Sequence, residues 1–215
     1  MKLRVEPKRM TVRPAPPTHG IPTLKYARQQ EDCWCWAACV EMILRHYCLF
    51  EADGQCKIAE KGLKIKHPNG QFTCCPHTGI TGRCDGDGGC DQALGNLQIT
   101  RLWSDQNGGY GIPVETTSLR GPQDGWLVYH LREMLDRGHP VELGYSGSTT
   151  GHVVILFGWD VDAASGEIKF FVHDPAACES ATVRAGGLLD NGGALDAYWV
   201  ILKTEAERRC GDGNQ

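Results

Sequence analysis

The spacing of apolar residues changes character once along this chain, at Gly138 and Pro140. Before that point hydrophobic residues recur at three- and four-residue steps; after it they gather in β-branched and aromatic runs separated by Gly, Asp and Ser. From Cys35 to Cys48, the residues Trp36, Val40, Ile43, Leu44 and Tyr47 lay an apolar face along a helix, with Asp32 just ahead as its expected cap. A short helix is expected from Gln55 to Lys61 and a weak one from Gln92 to Leu97. Leu127, Leu131, Met134 and Leu135 mark a further helix that Gly138 and Pro140 end. The runs Val141 to Tyr145, His152 to Gly158, Ile168 to Val172 and Tyr198 to Leu202 read as strands of an antiparallel sheet. Helices first and strands second describe an α+β chain of two unlike lobes, and a cleft between lobes is where a site forms.

The 215 residues, 41% of them hydrophobic, suffice for one substantial core. We expect a leader over residues 1–22, where Pro7, Pro14, Pro16, Pro17 and Pro22 fix extended backbone. A single domain follows over 23–203, helical to about 138 and β from about 139, and a polar tail closes the chain over 204–215. There is no internal repeat.

A formal net charge of −4 argues against nucleic acid, whose phosphates need a clustered positive surface, and favours a small-molecule or protein substrate. No run approaches the roughly 20 apolar residues that span a bilayer, and the basic N-terminus lacks the apolar stretch of a secretory signal. Eleven cysteines nevertheless suggest disulfides and an oxidising compartment, reached by a specialised export system or after removal of a signal.

The stretch from Gly70 to Cys90, dense in Gly and Cys, is a loop that needs staples. Cys74, Cys75, His77, Cys84 and Cys90 offer zinc-type ligands, but their spacing fits no standard finger. Disulfides involving Cys48 or Cys56 are the preferred reading, with no metal and no cofactor expected.

Cysteine is a nucleophile as the thiolate, and a helix start supplies the partial positive charge that favours that form. Cys35 stands at such a start; Cys33, also followed by Trp, is its rival, and Cys39 reads as packing or a disulfide. Imidazole, with an ordinary pKa near ~6.5, is the usual partner that takes and returns the proton. His152 opens the strongest strand, after Gly151 and the small polar residues 146–150. The return strand ends at His173, Asp174 and Pro175, where Asp174 is read as the residue that orients the ring, the alternative being that it instead begins a turn before Pro175. Because alternate strand residues face opposite ways, His173 and Asp174 do not both address His152. Gln29, six residues before Cys35, is the side-chain amide for an oxyanion, with Gln30 its neighbour and alternative. His46, His67, His130 and His139 read as surface or core residues, and Trp36 as core.

Gln29, then Cys35-Trp36-Ala37-Ala38, then Gly151-His152-Val153-Val154, then His173-Asp174-Pro175 together resemble the papain-like cysteine peptidase superfamily. The pattern is closer to bacterial effector or toxin proteases and bacteriocin-processing peptidases than to papain, which has Asn where this chain has Asp174. Extending over about Tyr26 to Leu202, the resemblance implies a helical lobe facing a β-sheet lobe, Cys35 as nucleophile, His152 as base, Asp174 as orienter and Gln29 in the oxyanion hole. With the absent signal and the Pro-rich leader, the resemblance suggests an exported bacterial effector or toxin, with a cognate inhibitor or immunity protein as partner; housekeeping proteolysis is the alternative role. Two rival functions stand beside the peptidase: a transamidase or deamidase using the same triad, and a non-catalytic disulfide-rich binding module in which Cys33, Cys35 and Cys39 are all paired.

Overall fold

The structure of the protein is a computed structural model that describes residues 17–49, 54–75, 89–118, 125–146, 151–177, 180–190 and 194–202. In chain order its elements are β1 (His19–Gly20), α1 (Cys35–His46), α2 (Gln55–Lys66), α3 (Asn96–Ser104), β2 (Val114–Ser118), α4 (Gly125–Asp136), β3 (Val141–Ser146), β4 (His152–Val161), β5 (Ile168–His173), β6 (Ala181–Arg184), α5 (Ala185–Asp190) and β7 (Ala194–Ile201). Among the described residues the sheet has seven strands in the order β2-β7-β3-β4-β5-β6, with β1 added against the far end of β4, and each pairing is antiparallel. This is the expected α+β class, and it accords with a papain-like fold.

Both faces of the sheet are covered, which is why β4 reads as a nearly unbroken apolar run. On one face Val153, Ile155 and Phe157 of β4 and Ala197, Trp199 and Ile201 of β7 pack with α1, α2 and α3. On the other, Val154, Leu156, Trp159, Tyr198 and Val200 meet Leu127, Leu131, Met134 and Leu135 of α4. The two-residue period of the strands sorts these side chains between the two cores. The helix carrying Cys35 and the later helix α4 therefore lie on opposite sides of the sheet.

α1 is buried almost all round, with Glu41 and His46 its buried polar residues. Glu41 accepts a hydrogen bond from Gln55 Nε2 at 2.6 Å, and Arg45 pairs with it one helical turn on. α2 approaches α1 closely at Gly62, where a Cβ would stand 2.7 Å from the Trp36 ring and 2.8 Å from Leu94.

Four details depart from the expectations. Trp34, not Asp32, occupies the N-cap of α1, and no side chain caps that helix. Residues 92–95 are not helical; α3 begins at Asn96, with Asp91 held by the Cys33 N–H just ahead of α1 and Gln92 by Trp36 of α1 and Lys66 of α2. β2, sequence VETTS, is a polar edge strand that the ladder of β7 creates without an apolar pattern of its own. β1, β6 and α5 are likewise too short to show a period.

Disulfides Cys56–Cys75 and Cys74–Cys90 staple the loop after α2 to that helix, and Cys33 and Cys48 are disulfide-bonded as well. Three of the thiols proposed as zinc ligands are thereby consumed, and His77 and Cys84 lie outside the described residues. So do residues 1–16 of the leader and the polar tail; residues 17–22 include β1, which pairs His19 with Trp159.

Candidate active site

Two long-range pairings build the site. β3 sets Tyr145 opposite His152 at the start of β4, and β5 sets His173 opposite Ile155 further along the same strand. Asp174, the residue after β5, thus comes back toward the start of β4, where His152 stands. Its Oδ1 lies 2.8 Å from His152 Nε2. The same Oδ1 accepts the N–H of Ala176 at 2.9 Å, and the Asp174 carbonyl accepts Ala177 N–H at 3.0 Å. The two readings of Asp174, as turn former and as ring partner, are therefore compatible.

Cys35 is a free thiol at the first position of α1, and its interaction with His152 raises the basicity of the ring. Since Nε2 of the ring faces Asp174, Nδ1 is the nitrogen left for the sulfur. All three side chains are buried: Cys35 is 6%, His152 7% and Asp174 6% exposed. Burial alone would lower the imidazole pKa, but the hydrogen bond to Asp174 and the hydrogen bond and charge of Cys35 raise it to about 9. The ring is a cation at neutral pH.

The neighbouring cysteines are set apart from this chemistry. Cys33 is in a disulfide. Cys39, one turn along α1, is a free thiol, but burial raises its pKa well above the ordinary value and its Sγ faces the Val153 carbonyl at 3.6 Å. His173 is also apart, stacked on Phe157 at 3.9 Å between ring centroids. Burial lowers its pKa to about 4, so the neutral ring donates from Nε2 to the Leu24 carbonyl at 2.9 Å and accepts from Ser180 Oγ at Nδ1, 2.7 Å away.

Gln29 stands beside the cluster, its backbone N–H bonded to the Pro175 carbonyl at 3.0 Å. Its side-chain amide donates to the carbonyls of Glu31 at 2.9 Å and Asp32 at 2.8 Å, and its Oε1 is buried without a partner. In this arrangement the amide closes the turn leading into α1. Gln30 is exposed and bonded through its backbone N–H to Gln55 Oε1 at 2.9 Å. The structure brings Cys35, His152 and Asp174 together and leaves Gln29 adjacent with its amide hydrogens engaged.

Two supporting residues gave no sequence signal. Tyr26 donates through its hydroxyl to the carbonyls of Pro175 and Ala177, pinning the turn that carries Asp174 from across the chain. Tyr145 donates to the Leu188 carbonyl at 3.2 Å, and burial together with the charge of Asp174 raises its phenol pKa far above the ordinary range.

The Peptidase_C39-like family model matches residues 21–203, a span that contains every residue of this cluster. The chain belongs to the Peptidase_C39-like family. It is thereby a member of the papain-like cysteine peptidase superfamily, and at the family level a cysteine peptidase. No curated protein matches the chain. Among the described residues of this Peptidase_C39-like protein, no group of His, Cys, Asp and Glu is arranged to hold a metal ion, and no helix is long and apolar enough to cross a membrane.

Proposed function

We propose that the chain hydrolyses peptide bonds through a thioester on Cys35. An imidazole beside a thiol is placed to take its proton, so His152 prepares the sulfur as a nucleophile. Sγ attacks the carbonyl carbon and the π electrons move to oxygen. That oxyanion is met by backbone N–H groups of the first turn of α1, which no side chain caps. Gln29 joins them once its amide turns away from the Glu31 and Asp32 carbonyls.

Collapse of the tetrahedral intermediate breaks the C–N bond, and His152 gives its proton to the departing amine. Water then attacks the thioester with His152 taking its proton, and Cys35 leaves with the acid released. Asp174 keeps Nε2 of the ring engaged, so that Nδ1 stays turned toward the sulfur throughout.

The observation that carries this reading is one imidazole shared between a buried carboxylate and a free thiol at a helix start. Mass spectrometry of a peptide library treated with wild type and with Cys35→Ala tests it. Wild type should create new termini that the variant does not. Mass shifts without new termini would transfer the site to the transamidase or deamidase reading, and identical libraries would contradict both.

The disulfides support work in an oxidising compartment, in keeping with an exported effector or toxin. Expression in a host cell tests that role: it requires slowed growth with wild type and normal growth with Cys35→Ala.

A further inference from the structure

The start of the nucleophile helix is not held by the helix alone. Cys33 N–H donates to Asp91 Oδ1 at 2.7 Å, Trp34 Nε1 to the Cys90 carbonyl at 2.7 Å and Trp36 Nε1 to the Gln92 carbonyl at 3.0 Å. Three consecutive residues thus receive donors from both sides of Cys35. They are themselves fastened to α2 by several routes. Cys90 is bonded to Cys74, whose N–H, with that of Cys75, donates to Glu60 Oε1 at 2.8 and 3.2 Å. Cys75 is bonded to Cys56 of α2. Lys66 Nζ reaches Gln92 Oε1 at 3.2 Å and the Ala93 carbonyl at 2.9 Å.

Asp91 stands out within this anchor. It is buried at 3% exposure, its Oδ1 has the Cys33 N–H, and its Oδ2 has no partner among the described residues. A buried carboxylate with half of its oxygens unsatisfied costs stability that an apolar residue would not, so the packing of the core does not explain it. Its one bond fixes the backbone two residues before Cys35, where α1 lacks a side-chain cap to do so.

We propose that Asp91 is a positioning residue for the Cys35 nucleophile, and that the Cys74–Cys90 disulfide holds the segment from which it acts. The inference rests on the peptidase reading for its kinetic consequence. Its mechanical content is narrower: the place of Sγ relative to the His152 ring is set through Cys33 from outside α1, by a segment 58 residues further along the chain. Reaction rates fall steeply when reacting atoms are displaced by about 1 Å, so small movements of this turn are enough to be read in turnover.

The test compares Asp91→Ala, Asp91→Asn and the pair Cys74→Ser, Cys90→Ser with wild type, on a peptide that wild type cleaves. Asp91→Ala should lower kcat roughly ten- to hundredfold with KM little changed, as expected for misplacement of reacting groups. Asp91→Asn, which retains an acceptor for the Cys33 N–H, should recover most of the loss. The double serine variant should fall in the same direction. Wild-type kcat in Asp91→Ala, or an Asn variant as impaired as the Ala variant, overturns the proposal. If Asp91→Ala does not accumulate as folded protein, the double serine variant decides, since wild-type kcat there also overturns it. The rate at which iodoacetamide alkylates Cys35 reads the same geometry without a substrate. A slower rate in Asp91→Ala than in wild type upholds the positioning even where wild type cleaves nothing and the peptidase reading itself has failed; an equal rate refutes it.

Discussion

A single carboxylate oxygen of Asp174 serves the ring of His152 and the backbone of Ala176 together. Orientation of the imidazole and closure of the turn after β5 are therefore one structural event. A substitution at this position separates into two measurable parts, charge and turn.

Asp174→Asn keeps an acceptor for the turn and discards the charge, so kcat should fall about tenfold or more, as expected when general acid–base chemistry is impaired. The basic limb of its pH–rate profile should move to lower pH. Asp174→Ala should lose the turn bond as well, at an additional cost of about 1 kcal/mol in urea unfolding.

The pH profile itself follows from His152. Burial opposes its charge, but Asp174 and Cys35 outweigh burial and set the pKa at about 9, against 6.5 for the ordinary ring. Turnover should hold through neutral pH and decline as pH rises past about 9, where the imidazolium is lost. The folded state keeps a proton that the unfolded chain releases above 6.5, so this stabilisation is complete below 6.5 and is lost as pH climbs through about 9. His173 has the opposite sign. Its pKa of about 4 means that the unfolded chain takes up the proton first, so stability should fall as pH drops from 6.5 toward 4. Thermal unfolding of wild type, His152→Ala and His173→Gln across this range checks both slopes, each variant losing its own.

The site residues were legible because their signals are local: a helix-period run beginning at Cys35, an apolar strand beginning at His152 and an Asp-Pro turn ending the next strand. The place of Asp174 beside His152 was legible from the return strand that ends at His173-Asp174-Pro175, whereas the register of β5 on β4 was not, and the approach of Cys35 to the ring was implied only by the family resemblance. The direction of the Gln29 amide was not legible, because the carbonyls of Glu31 and Asp32 compete for it at close range. Nor was the anchor at Cys90 to Gln92, whose contacts with α1 span 56 to 58 residues of chain. The polar strand β2 shows the same limit for the fold, because its neighbour rather than its composition makes it a strand.

Glu142 on β3 is fully buried, with Trp103 Nε1 donating to Oε2 at 2.7 Å and Oε1 without a partner. Burial outweighs that bond and raises its pKa from 4.5 to about 8. The folded protein holds a proton that the unfolded chain releases above 4.5, so stability should fall as pH rises from 4.5 to about 8. Glu142→Gln removes the titration and retains an acceptor for Trp103. Its melting temperature should exceed that of wild type at about pH 8, and the gap should close toward about pH 5.

Gly62 sets propensity against packing. In an open helix Gly→Ala gains roughly 1 kcal/mol, but here the new Cβ would lie 2.7 Å from the buried Trp36 ring and 2.8 Å from Leu94. Overpacking of a rigid core costs about 1–3 kcal/mol, so Gly62→Ala should destabilise the protein in denaturant titration. Because Trp36 follows Cys35, alkylation of the thiol should slow as well.

The most direct measurement of the central claim is the rate of Cys35 alkylation by iodoacetamide as a function of pH, located by peptide mapping, in wild type and in His152→Ala. Cys35 should label rapidly at neutral pH, Cys39 little, and Cys35 of the variant slowly until the solution is made alkaline. A Cys35 that reacts no faster than a thiol of the unfolded chain, or whose profile is the same with and without the imidazole, would contradict that claim.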